Sequence, residues 1–400
     1  MSGLLGSSAP NADARRSAIQ FIVCLGVVSL FADMTYEGAH SIIGPLLGDL
    51  SANMAQVAFI AGAGEMVAAS LRFFSGRFAD RTHAYWTITA LGYAMNVIAV
   101  PALAYAGSWK MALLLVVAER TGKALRGPAR DVLLSEATQE VGHGFGFGLH
   151  AIMDQTGAVA GPLLMFVGVA RSHNYGTPFL WLAAPAVGTL VALLTARLLH
   201  PTRGSSARNP KKQKLSNVFW LYCAAAGLLA CGFVDFPVLA RHFQAQAFLK
   251  QDQIPLLYAG AMAVNGITAL LFGRLFDRIG IVALVIGTMI SMLALPFGFL
   301  GGPVGAVAAV ACWGTGLGAQ DGSLRAGISQ VYSMNKRGAA FGAFNAIYGI
   351  MWFLGSVAIG ELYDHSMIPI AVAFGVACQI GSAVMFLLLR RPLAASRESA

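Results

Sequence analysis

Three ionisable residues share one face of the first long apolar run. Asp33, Glu37 and His40 stand at i, i+4 and i+7, the spacing of stacked neighbours on a helix. Asp33 falls near the middle of that run, residues 18–46. An ionised side chain at the centre of a bilayer costs on the order of 3 kcal/mol unless it faces a cavity or a partner. A carboxyl that can exchange its charge for a proton at such depth has the chemistry of a proton carrier.

The fourth run carries the densest charge: Glu119, Arg120, Lys123, Arg126, Arg130 and Asp131. Glu119, Lys123, Arg126 and Arg130 follow one another at +4, +7 and +11, a stripe along one helix face. Counted from Met111, Arg120 lies near mid-membrane, and its long stem cannot carry it to the surface as those of Arg126 and Arg130 can. The fields of Arg120 and Lys123 would attract an anionic solute or hold down a carboxylate such as Asp154. Anion binding and an internal ion-pair network both remain open.

The fifth run places His150, Asp154, Gly157 and Gly161 at i, i+4, i+7 and i+11, followed by Pro162. The glycines allow a second helix to approach closely, and the proline loosens the backbone ladder. Further on, Gln320, Asp321 and Arg325 offer an intrahelical Asp–Arg pair at i, i+4. Asp235 precedes Pro237, so its helix should bend there. Glu65 and Arg72 stand two turns apart as further network members. Asp33, Glu37, His40, Asp235 and His242 also form a donor set suited to a divalent transition metal, a less favoured alternative. Cys24, Cys223, Cys231, Cys312 and Cys378 all lie in apolar runs with no zinc-ligand spacing, and read as packing residues.

Only a membrane can hold these residues in such surroundings. Of 400 residues, 57% are apolar and 11% charged, against about 25% charged in a soluble domain. Cutting at charges, Gly and Pro leaves twelve apolar segments, near 18–46, 52–75, 85–106, 109–130, 141–169, 177–199, 216–242, 252–273, 279–301, 303–326, 338–362 and 368–389. Their lengths suit helices that span a bilayer and not ten-residue barrel strands. Soluble enzyme and nucleic-acid-binding readings are excluded by this composition, the net charge of +9 being a matter of topology. Lys and Arg gather at Arg15–Arg16, Arg77–Arg81, Arg126–Arg130, Arg203–Lys214, Arg274–Arg278, Lys336–Arg337 and Arg390–Arg397. The opposite loops hold only Lys110, Arg171, Arg241 and Lys250, so both termini are expected in the cytoplasm.

The two halves repeat. Asp33 and His40 return as Asp235 and His242, shifted by 202; Gly76, Asp80 and Arg81 return as Gly273, Asp277 and Arg278, shifted by 197. Arg130 meets Arg325 at 195, while Gly148 and Gly161 meet Gly342 and Gly355 at 194. Four matches in register imply two homologous six-helix bundles. At Asp154 and His150 the second half has Tyr348 and Phe344, so the acid is no requirement of the scaffold. The expected organisation is a tail 1–17, a bundle 18–200, a basic linker 201–215, a bundle 216–390 and a tail 391–400.

Gly76-Arg77-Phe78-Ala79-Asp80-Arg81 between the second and third runs, with its copy at Gly273–Gly280, resembles the cytoplasmic loop signature of the major facilitator superfamily. Gly148-x8-Gly157-x3-Gly161-Pro162 resembles the fifth-helix signature of that superfamily's proton-coupled exporters, departing where Met165-Phe166 replace the usual following Gly-Gly. Arg120 stands in a position resembling that family's fourth-helix Arg. The resemblance implies an all-α polytopic fold of twelve transmembrane helices that moves a small solute by alternating access. Gly76, Asp80, Arg81, Gly273, Asp277 and Arg278 would form gating loops, Asp80 accepting from an Arg or facing a helix N-terminus. The expected activity is proton-coupled export across the inner membrane by a protein working as a monomer, with no cofactor besides the proton gradient. Its partners would be the solute, protons and membrane lipid, with no nucleic acid and no catalytic residue. Uptake of an anionic metabolite or chelate, and divalent-metal export, are the alternatives.

Overall fold

In the computed structural model, residues 12–199, 216–331 and 337–390 are described, and their regular elements are all helical. The chain runs through α1 (Ala12–Asp49), α2 (Met54–Thr82), α3 (Tyr85–Ala102), α4 (Trp109–Thr138), α5 (His143–Ser172), α6 (Ala183–Leu199), α7 (Asn217–Gly232) and α8 (Phe236–Ala245). It continues through α9 (Gln253–Ile279), α10 (Val282–Ser291), α11 (Ala294–Leu300), α12 (Gly302–Val331), α13 (Arg337–Asp364) and α14 (Ile368–Leu388). A single 3-10 turn extends α3, and a six-residue 3-10 segment precedes α6. Among the described residues eleven spans are long and apolar enough to cross a membrane. The twelfth is α4, with the length of a span but the charges of a surface helix. The expected linker 201–215 and the tails 1–11 and 391–400 fall outside the described residues.

Two expected spans are broken. Between α7 and α8 the backbone leaves the helix at Phe233–Asp235, ahead of Pro237, where the missing N–H and the ring deny the ladder its continuity. Trp313 Nε1 donates to the freed Val234 carbonyl at 2.8 Å, which keeps this irregular backbone satisfied inside the protein. The ninth span divides into α10 and α11 ahead of Pro296, a break the sequence reading did not anticipate.

Conversely, the expected gating loops are helical. Gly76–Arg81 are the last turns of α2, and Gly273–Arg278 those of α9. No breaker interrupts these stretches, so each helix continues past the membrane. α2 stops only at His83, in the left-handed conformation at φ 52°, and α9 at Gly280, φ 63°.

The packing repeats as the sequence does. In the first half α1 packs on α5 and α6, α2 on α4, and α3 on α6; in the second α7 packs on α13 and α14, α9 on α12, and α10 on α14. The halves meet along α2 with α13, α5 with α9, and α1 with α8. Close approach is set by glycine. A Cβ on Gly157 would stand 2.1 Å from the Leu30 carbonyl oxygen, and one on Gly161 2.2 Å from that of Met34. The α1–α5 seam therefore requires both glycines. Gly148, expected to act likewise, has open space where its side chain would be. Gly76 does abut α4, 3.3 Å from Pro128 Cβ, whereas Gly273 meets only ordinary contact at 3.8 Å.

Candidate functional site

Because the seam draws α5 onto α1, Asp154, one turn before Gly157, is brought to Asp33. The two carboxyls lie within hydrogen-bonding reach of each other. Two ionised carboxylates repel at that range, and a proton shared between them would remove the repulsion. Arg126 Nη2 lies 3.9 Å from Asp33 and Arg130 Nη1 3.9 Å from Asp154. Arg130 is the more firmly held, donating to Asp131 at 2.9 Å and to Ser29 Oγ at 3.0 Å, and that hydroxyl bonds His150 Nε2 at 2.9 Å. Asp33 is 16% exposed and Asp154 37%, so the pair is reachable by water without facing it fully.

A second polar cluster lies further along α1. Arg120 Nη1 meets Glu65 at 2.7 Å, its Nε lies 3.4 Å from Glu119, and its Nη2 donates to His40 Nδ1 at 3.0 Å. Asn96 fixes Glu119 at 3.0 Å. The Tyr36 ring has Lys123 Nζ 3.4 Å and Arg120 Cζ 4.5 Å from its centroid, while Arg126 packs 4.5 Å over Tyr93. Arg120 therefore does not tune Asp154 as the sequence spacing suggested; the α4 stripe winds past α1, giving each cation its own carboxylate or ring. The contacts of that stripe in the structure are ion pairs and aromatic rings.

Two contacts from this cluster cross to the other half. His40 Nε2 lies 3.3 Å from Asp235 Oδ1 in the α7–α8 break, and Tyr258 of α9 donates to Glu37 Oε2 at 2.6 Å. Beyond them α1 and α8 close on each other: a Cβ on Gly44 would stand 2.1 Å from the Pro237 carbonyl oxygen, and Gln244 donates to Asp49 at 2.8 Å. Asp364, at the end of α13, accepts from the backbone N–H groups of Met54 and Ala55 at 3.0 and 2.7 Å. The N-terminus of α2 is thus capped partly by Asn53 and Gln56 and partly by the opposite half.

In the second half Asn265 donates to Asp321 at 3.0 Å, and Tyr348 donates to Gln320. The expected Asp321–Arg325 pair involves a side chain outside those described. Asp80 accepts not from an Arg but from Tyr85 at 3.3 Å, because the continuing helix turns it back toward the start of α3; Arg81, Asp277 and Arg278 are exposed. The five donors considered for a metal are dispersed: Asp33 goes to Asp154, Glu37 to Tyr258, His40 to Asp235, and His242 to the Tyr363 hydroxyl at 2.7 Å. No grouping of three or more metal-type donors occurs among the described residues. Spacing did signal His40, which shares a face with Asp33 and Glu37. Tyr258 and Asp364 gave no signal, since nothing local marks the partner of a residue more than two hundred positions away.

Residues 24–356 match the sequence profile of the Major Facilitator Superfamily. An uncharacterised protein of Mycobacterium tuberculosis is 36% identical over 386 residues, covering 94% of each chain. Among solved structures, the nucleoside transporter NupG superposes with a TM-score of 0.72 at 13% identity, covering 92% of this chain and 98% of that one. A bacterial homologue of the iron transporter ferroportin, in an inward-facing state, gives 0.67 at 16% identity, covering 93% and 99%.

Proposed function

The chain belongs to the Major Facilitator Superfamily, and from that premise we infer that it is a secondary transporter exporting a small organic solute in exchange for protons. The observation that carries this reading is the Asp33–Asp154 pair, two carboxyls in contact on the glycine seam with an Arg beside each. Such a pair holds a proton in one state and presents a second negative charge in the other. A solute needing that charge is discharged when the proton arrives, so proton and solute exclude each other and exchange follows without a separate device.

The contacts between halves support alternating access of the bundles 18–200 and 216–390 about this site. The Gly44–Pro237, Gln244–Asp49 and Asp364–α2 contacts lie at the ends of α1, α8 and α13 away from the Lys- and Arg-rich segments. α2 and α13 also pack at Phe73 and Gly342 nearer the basic end, and Asp131 and Asp321 are exposed. With the basic segments in the cytoplasm, the arrangement is sealed outside and open inside. The protein then lies in the inner membrane with both termini cytoplasmic, works as a monomer, and draws on the proton gradient alone. Uptake of an anion has less support, because Arg120, Arg126 and Arg130 each already face a carboxylate. The solute named for each structural neighbour differs, so the scaffold does not select among solutes.

The test is purified protein in proteoliposomes under an imposed pH gradient, with a solute found by a survey of ligand-induced thermal shifts. Asp33→Asn and Asp154→Asn should each abolish gradient-driven exchange, and at least one should still bind solute with no dependence on pH. Solute moving in the same direction as protons would replace exchange with symport. Normal accumulation by both variants would remove the carboxyl pair from the mechanism.

A further inference from the structure

A guanidinium carries donors only. The 3.0 Å contact between Arg120 Nη2 and His40 Nδ1 therefore needs a bare lone pair on Nδ1. The one ring proton must then sit on Nε2, which faces Asp235 Oδ1 at 3.3 Å. In this arrangement His40 is a neutral imidazole of fixed tautomer, and its basic atom is occupied. A proton and Arg120 compete for the same lone pair. Glu65 and Glu119 lie 2.7 and 3.4 Å from the other nitrogens of Arg120 and draw the guanidinium toward α2 and α4. The ring in turn is aimed at Arg120 by Asp235, which belongs to the opposite half. When the halves part at this end, the bond that fixes both tautomer and orientation goes with Asp235.

We propose that His40 is a second proton-binding site, discharged when the outer seal closes and Asp235 turns its Nδ1 onto Arg120, and armed when the seal opens and the ring swings free. It deepens the exchange reading above and rests on it. The groups facing the ring are Tyr36 and Glu37 of α1, Glu65 of α2, Glu119, Arg120 and Lys123 of α4, Asp235 of the α7–α8 break and Tyr258 of α9. The acids among them favour an imidazolium once the lone pair is free, and the docked guanidinium forbids it. Glu65, 32% exposed and 2.7 Å from Arg120, is the outlet for the released proton in this scheme. Each closure would thus move a proton inward, the direction exchange requires.

Solid-state NMR of the 15N-histidine-labelled full chain in lipid bilayers tests this, with the His40→Gln spectrum identifying the His40 signals. At pH 6 His40 should keep the neutral signature with the proton on Nε2. Arg120→Gln and, separately, Asp235→Ala should each convert His40 to the doubly protonated signature at the same pH. Two variants on different helices guard against one failing to fold. A wild-type His40 that shows both nitrogens protonated at pH 6, or one that stays neutral in both variants, would overturn the proposal. Asp33→Asn should leave the His40 signature untouched, which separates the two ideas. Loss of exchange with this signature intact strikes the transport reading, and the reverse pattern strikes His40 alone.

Discussion

Replacing Asp364 by Ala removes the acceptor that the second half supplies to the first turn of α2. Two backbone donors, Met54 N–H and Ala55 N–H, lose partners at 3.0 and 2.7 Å, while the Asn53–Gln56 capping box stays in place. Loss of a helix cap costs about 0.5–2 kcal/mol. Asp364 is exposed, and water can replace it at the freed donors, so the lower middle of that range applies, about 1 kcal/mol. The loss falls only on the conformer in which α2 and α13 meet at this end. The ratio of outer-open to outer-closed protein should therefore rise about fivefold. Spin labels at Ser51→Cys and His365→Cys, both on exposed loop positions, read that ratio as distance populations by pulsed EPR once the native cysteines are replaced. Asp364→Asn keeps one of the two acceptor oxygens and should give about a twofold rise, near half the free energy. A ratio that does not move in Asp364→Ala would show that the contact is not specific to one state, and the latch reasoning would fail.

Gly157→Ala or Gly161→Ala places a methyl 2.1–2.2 Å from an α1 carbonyl oxygen, so either should lower thermal stability by several degrees or abolish folded yield, while Gly148→Ala should match wild type in the same melting assay. Tyr258→Phe deletes the hydroxyl bonded to Glu37 across the halves and should also raise the outer-open population, by about three- to tenfold, read with the same labels; no change would place Glu37 outside the seal. Arg120→Lys should fail to restore wild-type stability or exchange, because a single ammonium cannot serve Glu65, Glu119 and His40 together; full rescue in a melting and exchange assay would reduce Arg120 to its charge.

Periodicity and charge placement made the membrane architecture readable before any coordinates, because lipid leaves the backbone so few options. The acids of α1 and α5 were readable for the same reason: Asp33 and Asp154 are expensive where they stand. Their contact with each other was not, since it depends on the rotation of α5 about the Gly157–Gly161 seam. Depth left Arg120 open to an anionic solute or to a carboxylate such as Asp154, and the turn of α4 places it against Glu65 and His40. The signature at Gly76–Arg81 was read as a loop, yet the stretch contains no residue that stops a helix until His83. Asp364 carried no local signal, and only the tertiary fold gives it the first turn of α2.

α4 also bears on how this chain enters its membrane in the first place. With Glu119, Arg120, Lys123 and Arg126 in its central turns, it would insert alone at a cost on the order of 10 kcal/mol, each charge adding about 2.5–3.5. Its predecessor offers relief: Gly92 of α3 and Gly122 of α4 face each other so closely that a Cβ on either would stand 2.6 Å from the other's carbonyl oxygen. Asn96 on the same helix already bonds Glu119. Biogenesis should therefore deliver α3 and α4 to the bilayer as a preassembled hairpin, with α3 held at the translocation channel until α4 has emerged.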